Sequence, residues 1–261
     1  MNTISPMAYV HPDAKLGEGV IIDPFVSVAG NVEIGDGTHV HSHATIMDGA
    51  RIGKNCNIYP NAVISCIPQD LKFVGEETTA VIGDNTSVRE CATVNRGTKS
   101  RGTTIVGSDC LLMAYSHIAH DCVLNNHIII GNATQIAGEV EVDDWAIISG
   151  GTLIHQFTKI GAHVMIQGGS KINKDIPPYV TAGRDPIAYC GINSVGLKRR
   201  GYSNEEIRDI QDIYRYLYLS GMNVSSAVDR IMEEVKESKF RDQIVSFVKG
   251  SQRGILKGYT D

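Results

Sequence analysis

The feature that most constrains this chain is a column of aliphatic residues recurring every six positions. Stepping by six from Val10 gives Leu16, Ile22, Val28, Ile34, Val40, Ile46, Ile52, Ile58 and Ile64. The same register resumes at Ile82, Val88 and Val94. It then runs through Val106, Leu112, Ile118, Leu124, Ile130, Ile136, Val142, Ile148, Ile154, Ile160, Ile166 and Ile172. Of the 28 positions so defined, only Asp70, Glu76 and Ser100 break the pattern, whereas 64 Ile, Leu and Val in 261 residues would fill about seven by chance. A period of six is too short for a helical array and points to short strands with a corner in every repeat.

A second column lies four residues after the first: Ala14, Val20, Val26, Val32, Thr38, Ala44, Ala50, Cys56 and Ala62, and later Cys110, Ser116, Cys122 and Thr134. Each shares a strand face with the aliphatic two residues on. These thiols and hydroxyls read as core filler. Glycine follows the aliphatic at Gly17, Gly35, Gly53, Gly83, Gly107, Gly131 and Gly161, where a corner tolerant of positive φ is expected. Three repeats close one triangular coil of 18 residues, so 25 repeats predict about eight coils stacked into a column roughly 40 Å tall. The expected fold is all-β: a parallel β-helix over residues 1–185, whose handedness the periodicity leaves open.

Two stretches, 66–79 and about 98–104, interrupt the repeat and must project from the column, where function tends to sit. After Pro177 and Pro178 the pattern turns helical. Ser203 and Glu206 form a capping-box signature, opening a helix with Ile207, Ile210, Ile213, Tyr214 and Leu217 on one stripe that stops near Gly221. Two more helices are expected near 224–237 and 240–249. Residues 186–261 thus read as a small α-helical domain covering the open end of the column, which would otherwise expose sheet edges.

A net charge of −5 argues against a nucleic-acid footprint. No apolar run reaches the ~18 residues needed to span a bilayer. The first residues lack the basic and apolar regions of a secretory signal, and the six cysteines include no C-x-x-C pair. A cytoplasmic protein with free thiols is expected.

Residues 18 apart stand above one another in such a column. His120, Gly138 and Gln156 have that spacing, each two residues after an aliphatic, and so form one outward ladder. A histidine can serve as general base, and a bare glycine N–H one coil away can stabilise an oxyanion. That pairing suits a hydroxyl attacking an activated acyl group. His117 and His155 flank the ladder. Asp121 would face away from His120 in a regular strand, so it can orient the imidazole only if the corner bends there. His39, His41 and His43 lie far from the ladder and read as surface or interface histidines; no metal ligand set is assigned.

The local motifs resemble the bacterial UDP-N-acetylglucosamine acyltransferases over nearly the whole chain. They include Gln69-Asp70-Leu71-Lys72, His117-Ile118-Ala119-His120-Asp121, Ala137-Gly138, Ile154-His155-Gln156-Phe157, Ile160-Gly161-Ala162-His163-Val164-Met165, Gly196-Leu197-Lys198-Arg199-Arg200-Gly201 and Arg253-Gly254-Ile255. The resemblance implies a left-handed β-helix and a homotrimer with sites between neighbouring columns. A 3-hydroxyacyl group on the phosphopantetheine of acyl carrier protein would pass to the 3-hydroxyl of UDP-N-acetylglucosamine, opening lipid A synthesis, with no bound cofactor. His120 falls on the family's general base and Gly138 on its oxyanion donor. Gln69, Asp70 and Lys72, with His117, His155 and Gln156, fall on sugar- and nucleotide-side contacts. Asn193, Arg199 and Arg200 fall near the uridine and phosphates, where a planar guanidinium suits phosphate oxygens. Gly150 and Gly168, 18 apart, with neighbouring Gln167, fall on the acyl groove that measures chain length.

Glu139 and Asn95 stand where better-known members have histidine, and Val195 replaces an acidic residue, so a variant UDP-sugar is an alternative acceptor. Two relatives on the same scaffold are alternative identities: the N-acyltransferase of the pathway, which carries an extra N-terminal domain, and a zinc carbonic anhydrase with histidine ligands such as His117 and His120.

Overall fold

A computed structural model describes residues 1–258 and contains the expected column. Two-residue strands recur every six positions and stack on three faces as sheets of 12, 9 and 8 strands. The first face begins with Thr3–Ile4, the second with Tyr9–Val10 and the third with Lys15–Leu16. The column therefore starts one repeat earlier than Val10 and holds eight complete coils and part of a ninth. Neighbouring coils pair in parallel with like residues in register, as in Ile118↔Ile136 and Ile136↔Ile154.

Both inward columns fill the axis. Ile22, Ile46, Ile58, Ile64, Ile118 and Ile136 are buried, as are Val20, Ala44, Ala62, Cys110 and Cys122. Each large aliphatic removed from water contributes about 1.5–3 kcal/mol. Burial pushes the Cys110 thiol up to about 11 and the Cys122 thiol up to about 12, so both stay protonated and behave as apolar filler.

The corner glycines have a different cause from the one expected. Gly35 and Gly53 are absent from the left-handed region, which is occupied two residues after the corner glycines by Gly37, Asn55, Asn85 and Asp109. The glycines are required by stacking. A Cβ on Gly35 would lie 2.6 Å from the Gly53 carbonyl, and one on Gly53 would lie 2.3 Å from the Asp84 carboxylate.

Two consecutive coils depart from plain corners at one edge, between the second and third faces. The first insertion joins Val63–Cys66 to Thr79–Ile82, and the second joins Thr93–Asn95 to Thr103–Val106. The next coil up turns this edge at 119–122, which carries His120. Ile64 pairs with Val94, and Val94 with Ile118. Both steps are longer than a plain coil by whole multiples of the six-residue repeat, which is why the aliphatic register survives both loops.

At the top of the column, strand Val180–Gly183 pairs with Met165–Ile166 and then antiparallel with Ala188–Ile192. Four helices follow: α1 (Ser194–Arg199), α2 (Asn204–Leu219), α3 (Val224–Glu234) and α4 (Lys239–Gly250). The Ser203/Glu206 capping box is formed, and Ile207, Ile210, Ile213, Tyr214 and Leu217 are buried as expected. Tyr214 is fully buried and donates to the Pro178 carbonyl at 2.5 Å, seating α2 on the end of the column. Among the described residues no helix is long and apolar enough to cross a membrane.

Candidate active site

His120 lies at the second–third edge on the sixth coil and is almost buried. Its Nδ1 lies 2.8 Å from an oxygen of Asp121. This contact exists because the corner bends at Asp121, which has φ +60 and brings its carboxylate back under the imidazole. Asp121 is fully buried and receives hydrogen bonds from the Thr98 N–H (3.0 Å), the Thr98 hydroxyl (2.6 Å) and the Arg101 N–H (3.1 Å), while its own N–H donates to the Thr104 hydroxyl. The second loop thus exists as a cradle for one carboxylate. A carboxylate held this way is placed to accept from Nδ1, the tautomer that leaves Nε2 free to take a proton.

Gly138 stands one coil above, also buried. A Cβ there would lie 2.6 Å from both Nε2 and Cε1 of His120, so any side chain would occupy the space of the ring. The carbonyl of His120 accepts from the Glu139 N–H and that of Gly138 from the Phe157 N–H. The Gly138 N–H has no acceptor among the described residues. At another edge the equivalent amides of Lys54, Ser108 and Asn126 are each capped by an Asp or Asn side chain one coil up. The ladder therefore sets the His120 imidazole beneath a backbone amide that carries no such cap.

The first loop adds Asp70, whose carboxylate oxygen lies 4.0 Å from His120 Nε2. The Lys72 N–H holds that carboxylate at 2.9 Å, while the side chains of Gln69 and Lys72 are exposed around it. Buried Asn95 ties down the loop root by donating to the Ile67 carbonyl at 2.9 Å. Position 95 is therefore a scaffold position in this chain. His117 Nδ1 lies 2.7 Å from the Thr93 hydroxyl, and burial, then the nearby His120, hold it below the ordinary histidine value. Thr98, Arg101 and Thr104 are not legible in the sequence as site residues, because their role depends on where a loop returns.

Above His117 a groove of about 490 Å³ runs up the second face. Its outward residues His117, Gln135, Leu153 and Lys171 form another ladder of 18, flanked by Ala119, Ala137 and His155, and its walls are mainly apolar. Gly150 and Gly168 border this face at its opposite edge; a Cβ on Gly168 would lie 3.0 Å from the Gly150 carbonyl oxygen. The Gln167 amide turns away, accepting from the Arg184 N–H at 3.2 Å.

The remaining predicted residues are not brought to His120. Asn193 caps α1 through the Gly196 N–H and donates to the His163 carbonyl. Arg200 donates to the Trp145 carbonyl at 3.0 Å and lies over that indole at 5.2 Å, with its other terminal nitrogen buried and unpaired. Arg199 is exposed on the same helix. Trp145 and His163 belong to the edge between the third and first faces, so one column carries the two groups of residues on different edges.

Comparison with known proteins follows the same lines. A family described as Udp N-acetylglucosamine O-acyltransferase, domain 2, matches residues 175–256, and one described as GMPPB C-terminal domain matches residues 4–105. The acyl-(acyl-carrier-protein)–UDP-N-acetylglucosamine O-acyltransferase of Alkalilimnicola ehrlichii is 47% identical over 258 residues, 98% of this chain and 100% of the relative. Among solved structures, the UDP-N-acetylglucosamine acyltransferase of Bacteroides fragilis is 53% identical with a TM-score of 0.97, covering 98% of this chain and 100% of its own. That of Francisella novicida is 40% identical with a TM-score of 0.95, covering 98% and 94%.

Proposed function

The chain belongs to the acyl-(acyl-carrier-protein)–UDP-N-acetylglucosamine O-acyltransferases, carries their left-handed β-helix and transfers an acyl group from acyl carrier protein to UDP-N-acetylglucosamine, and we propose that His120 is the base that drives this transfer. The observation that carries the proposal is the contact of His120 with buried Asp121 on one side and, on the other, the approach of Gly138, where a Cβ would lie 2.6 Å from the ring.

His120 Nε2 takes the proton from the sugar 3-hydroxyl as its oxygen attacks the thioester carbonyl of a 3-hydroxyacyl chain. The tetrahedral oxyanion accepts from the Gly138 N–H. Collapse expels the phosphopantetheine thiolate, which recovers the proton from His120. Asp121 keeps Nδ1 protonated throughout and stabilises the transient imidazolium. Asp70, beside Nε2, receives the sugar. The thioester supplies the activation, so the steps draw on no bound cofactor. The product is the first intermediate of lipid A, and six unpaired cysteines favour a reducing, cytoplasmic setting.

We further propose a trimer in which Asn193, Arg199 and Arg200 of one column face His120 of the next. Their location on separate edges of a single column supports this reading. The test mixes two inactive variants, His120→Ala and Arg200→Ala, by reversible dissociation. If each site takes His120 and Arg200 from different chains, random mixed trimers regain about a quarter of wild-type sites. Full activity of His120→Ala alone ends the base assignment, and two inactive variants that recover nothing on mixing end the shared site.

A further inference from the structure

Outside the active site, the structure gathers three side chains on the first face of the column. His39 and His41 project outward on the first face of the third coil, and Asp23 stands one coil directly below His41. The Asp23 carboxylate oxygen lies 3.1 Å from His39 Nε2 and 3.6 Å from His41 Nδ1. One donor atom from each of the three falls within 4.8 Å of the others. The 3.1 Å approach is not a hydrogen bond, because the oxygen lies out of line with the ring nitrogen, and His39 Nε2 is left buried without a hydrogen-bond partner. The two imidazoles lie 3.8 Å apart, and Tyr59 backs His41 at 4.7 Å. Arg89 beyond Tyr59 is engaged with Glu90. His43 takes no part: its backbone turns at φ +64 and its ring stacks on Phe25.

We propose that Asp23, His39 and His41 bind a divalent transition-metal ion of the zinc class. Two imidazoles and one carboxylate are a donor set that suits zinc, cobalt or nickel, whereas magnesium and calcium prefer oxygen alone. Three protein donors leave a position for water. The side chains are less than one-third exposed, so the ion would be partly shielded yet reachable from solvent.

The ion would clamp the second coil to the third. That location matters because, among the described residues, no helix packs on the N-terminal end of the column, where Ile4, Met7 and Tyr9 are 45%, 57% and 60% exposed. An end without a cap is where a stacked array opens first, and a metal bound only by the folded form opposes that opening. The first face of the third coil is remote from the second–third edge of the sixth, so the inference stands apart from the acyl-transfer reading.

The experiment uses tag-free full-length protein stripped with chelator, then titrated with zinc by calorimetry and with cobalt by visible absorption. One ion per chain is expected, with a rise in melting temperature on zinc addition. His39→Ala and Asp23→Asn should each weaken binding on the order of 100-fold or more and abolish the thermal shift. His120→Ala should bind as the wild type does. Failure of the wild-type protein to take up either ion overturns the proposal. So does uptake that survives in His39→Ala and Asp23→Asn, or that disappears in His120→Ala, which would place the ion among His117, His120 and Asp70.

Discussion

Replacing Gly138 by alanine isolates what the ladder at the second–third edge contributes. Gly138 lies outside the left-handed region, so alanine suits its backbone and the penalty falls on its neighbour. The new methyl would lie 2.6 Å from His120 Nε2 and Cε1, about 0.9 Å inside an ordinary contact of ~3.5 Å. The ring must therefore move by close to 1 Å, stretching its 2.8 Å bond to Asp121. A misplacement of ~1 Å costs on the order of 10²-fold in rate, about 2.7 kcal/mol of barrier. Steady-state transfer from acyl carrier protein should show kcat falling by at least that factor, with the melting temperature within a few degrees of wild type. The double variant gives the sharper test. With His120 already replaced by alanine the methyl meets no ring, so Gly138→Ala should add almost nothing to the His120→Ala defect. Independent, additive losses would refute the steric argument, and so would a single variant retaining a third or more of normal kcat.

Asp121→Asn should lower kcat by roughly 10²–10⁴-fold and expose the 98–104 loop to protease, since an amide cannot accept from Thr98, Arg101 and His120 together; intact loop protection would separate the two roles. Burial, then Arg200, hold the His163 imidazole down to about 4 from an ordinary 6.5. Between those values the unfolded chain binds a proton that the folded one refuses, so stability is full above pH 6.5 and falls as pH drops. Melting curves from pH 6.5 to about 5 should therefore be flatter in His163→Gln than in wild type; parallel slopes would discount His163. Gly168→Met should lose a fourteen-carbon 3-hydroxyacyl donor while keeping a ten-carbon one, because the added side chain enters the border of the second-face groove; equal loss of both marks the glycine as structural.

What is legible in the sequence and what is hidden divide along a physical line. Stacking coil on coil is a local rule repeated, so Ile64, Ile118 and their columns are legible, and so is the contact of His120 with Gly138. The bend at Asp121 is legible as a requirement, since only a corner allows that carboxylate to reach His120. Asp70 and Thr98 are not legible in three dimensions: each is carried by a loop whose return path depends on its own side-chain bonds, such as Thr98 to Asp121 and Asn95 to Ile67. The corner glycines are misleading because the clash that selects them comes from the next coil, not from their own turn. Asp23 is in plain view one coil below His41, but an acidic residue on an outer face carries no pattern until its neighbours are placed. Asn193 is legible from the resemblance alone, and its cap of α1 through the Gly196 N–H is a further role that no motif announces.

The two loops and the His120 corner leave the column from one edge at three successive levels, and this has a mechanical consequence. The levels are stacked shelves that bond mainly to the one below and the one above, and the loops extend that reach by a level, as where Asp70 of the fourth coil stands beside His120 of the sixth. On the proposed assignment, the shelf of His120 draws its precision from two shelves beneath it and one above. Sequence drift near the bottom of the stack is thereby filtered before it reaches the imidazole. Alterations at the levels of Ile64, Val94, Ile118 and Ile136 are felt directly. On that assignment the chemistry is held by a short segment of a long object.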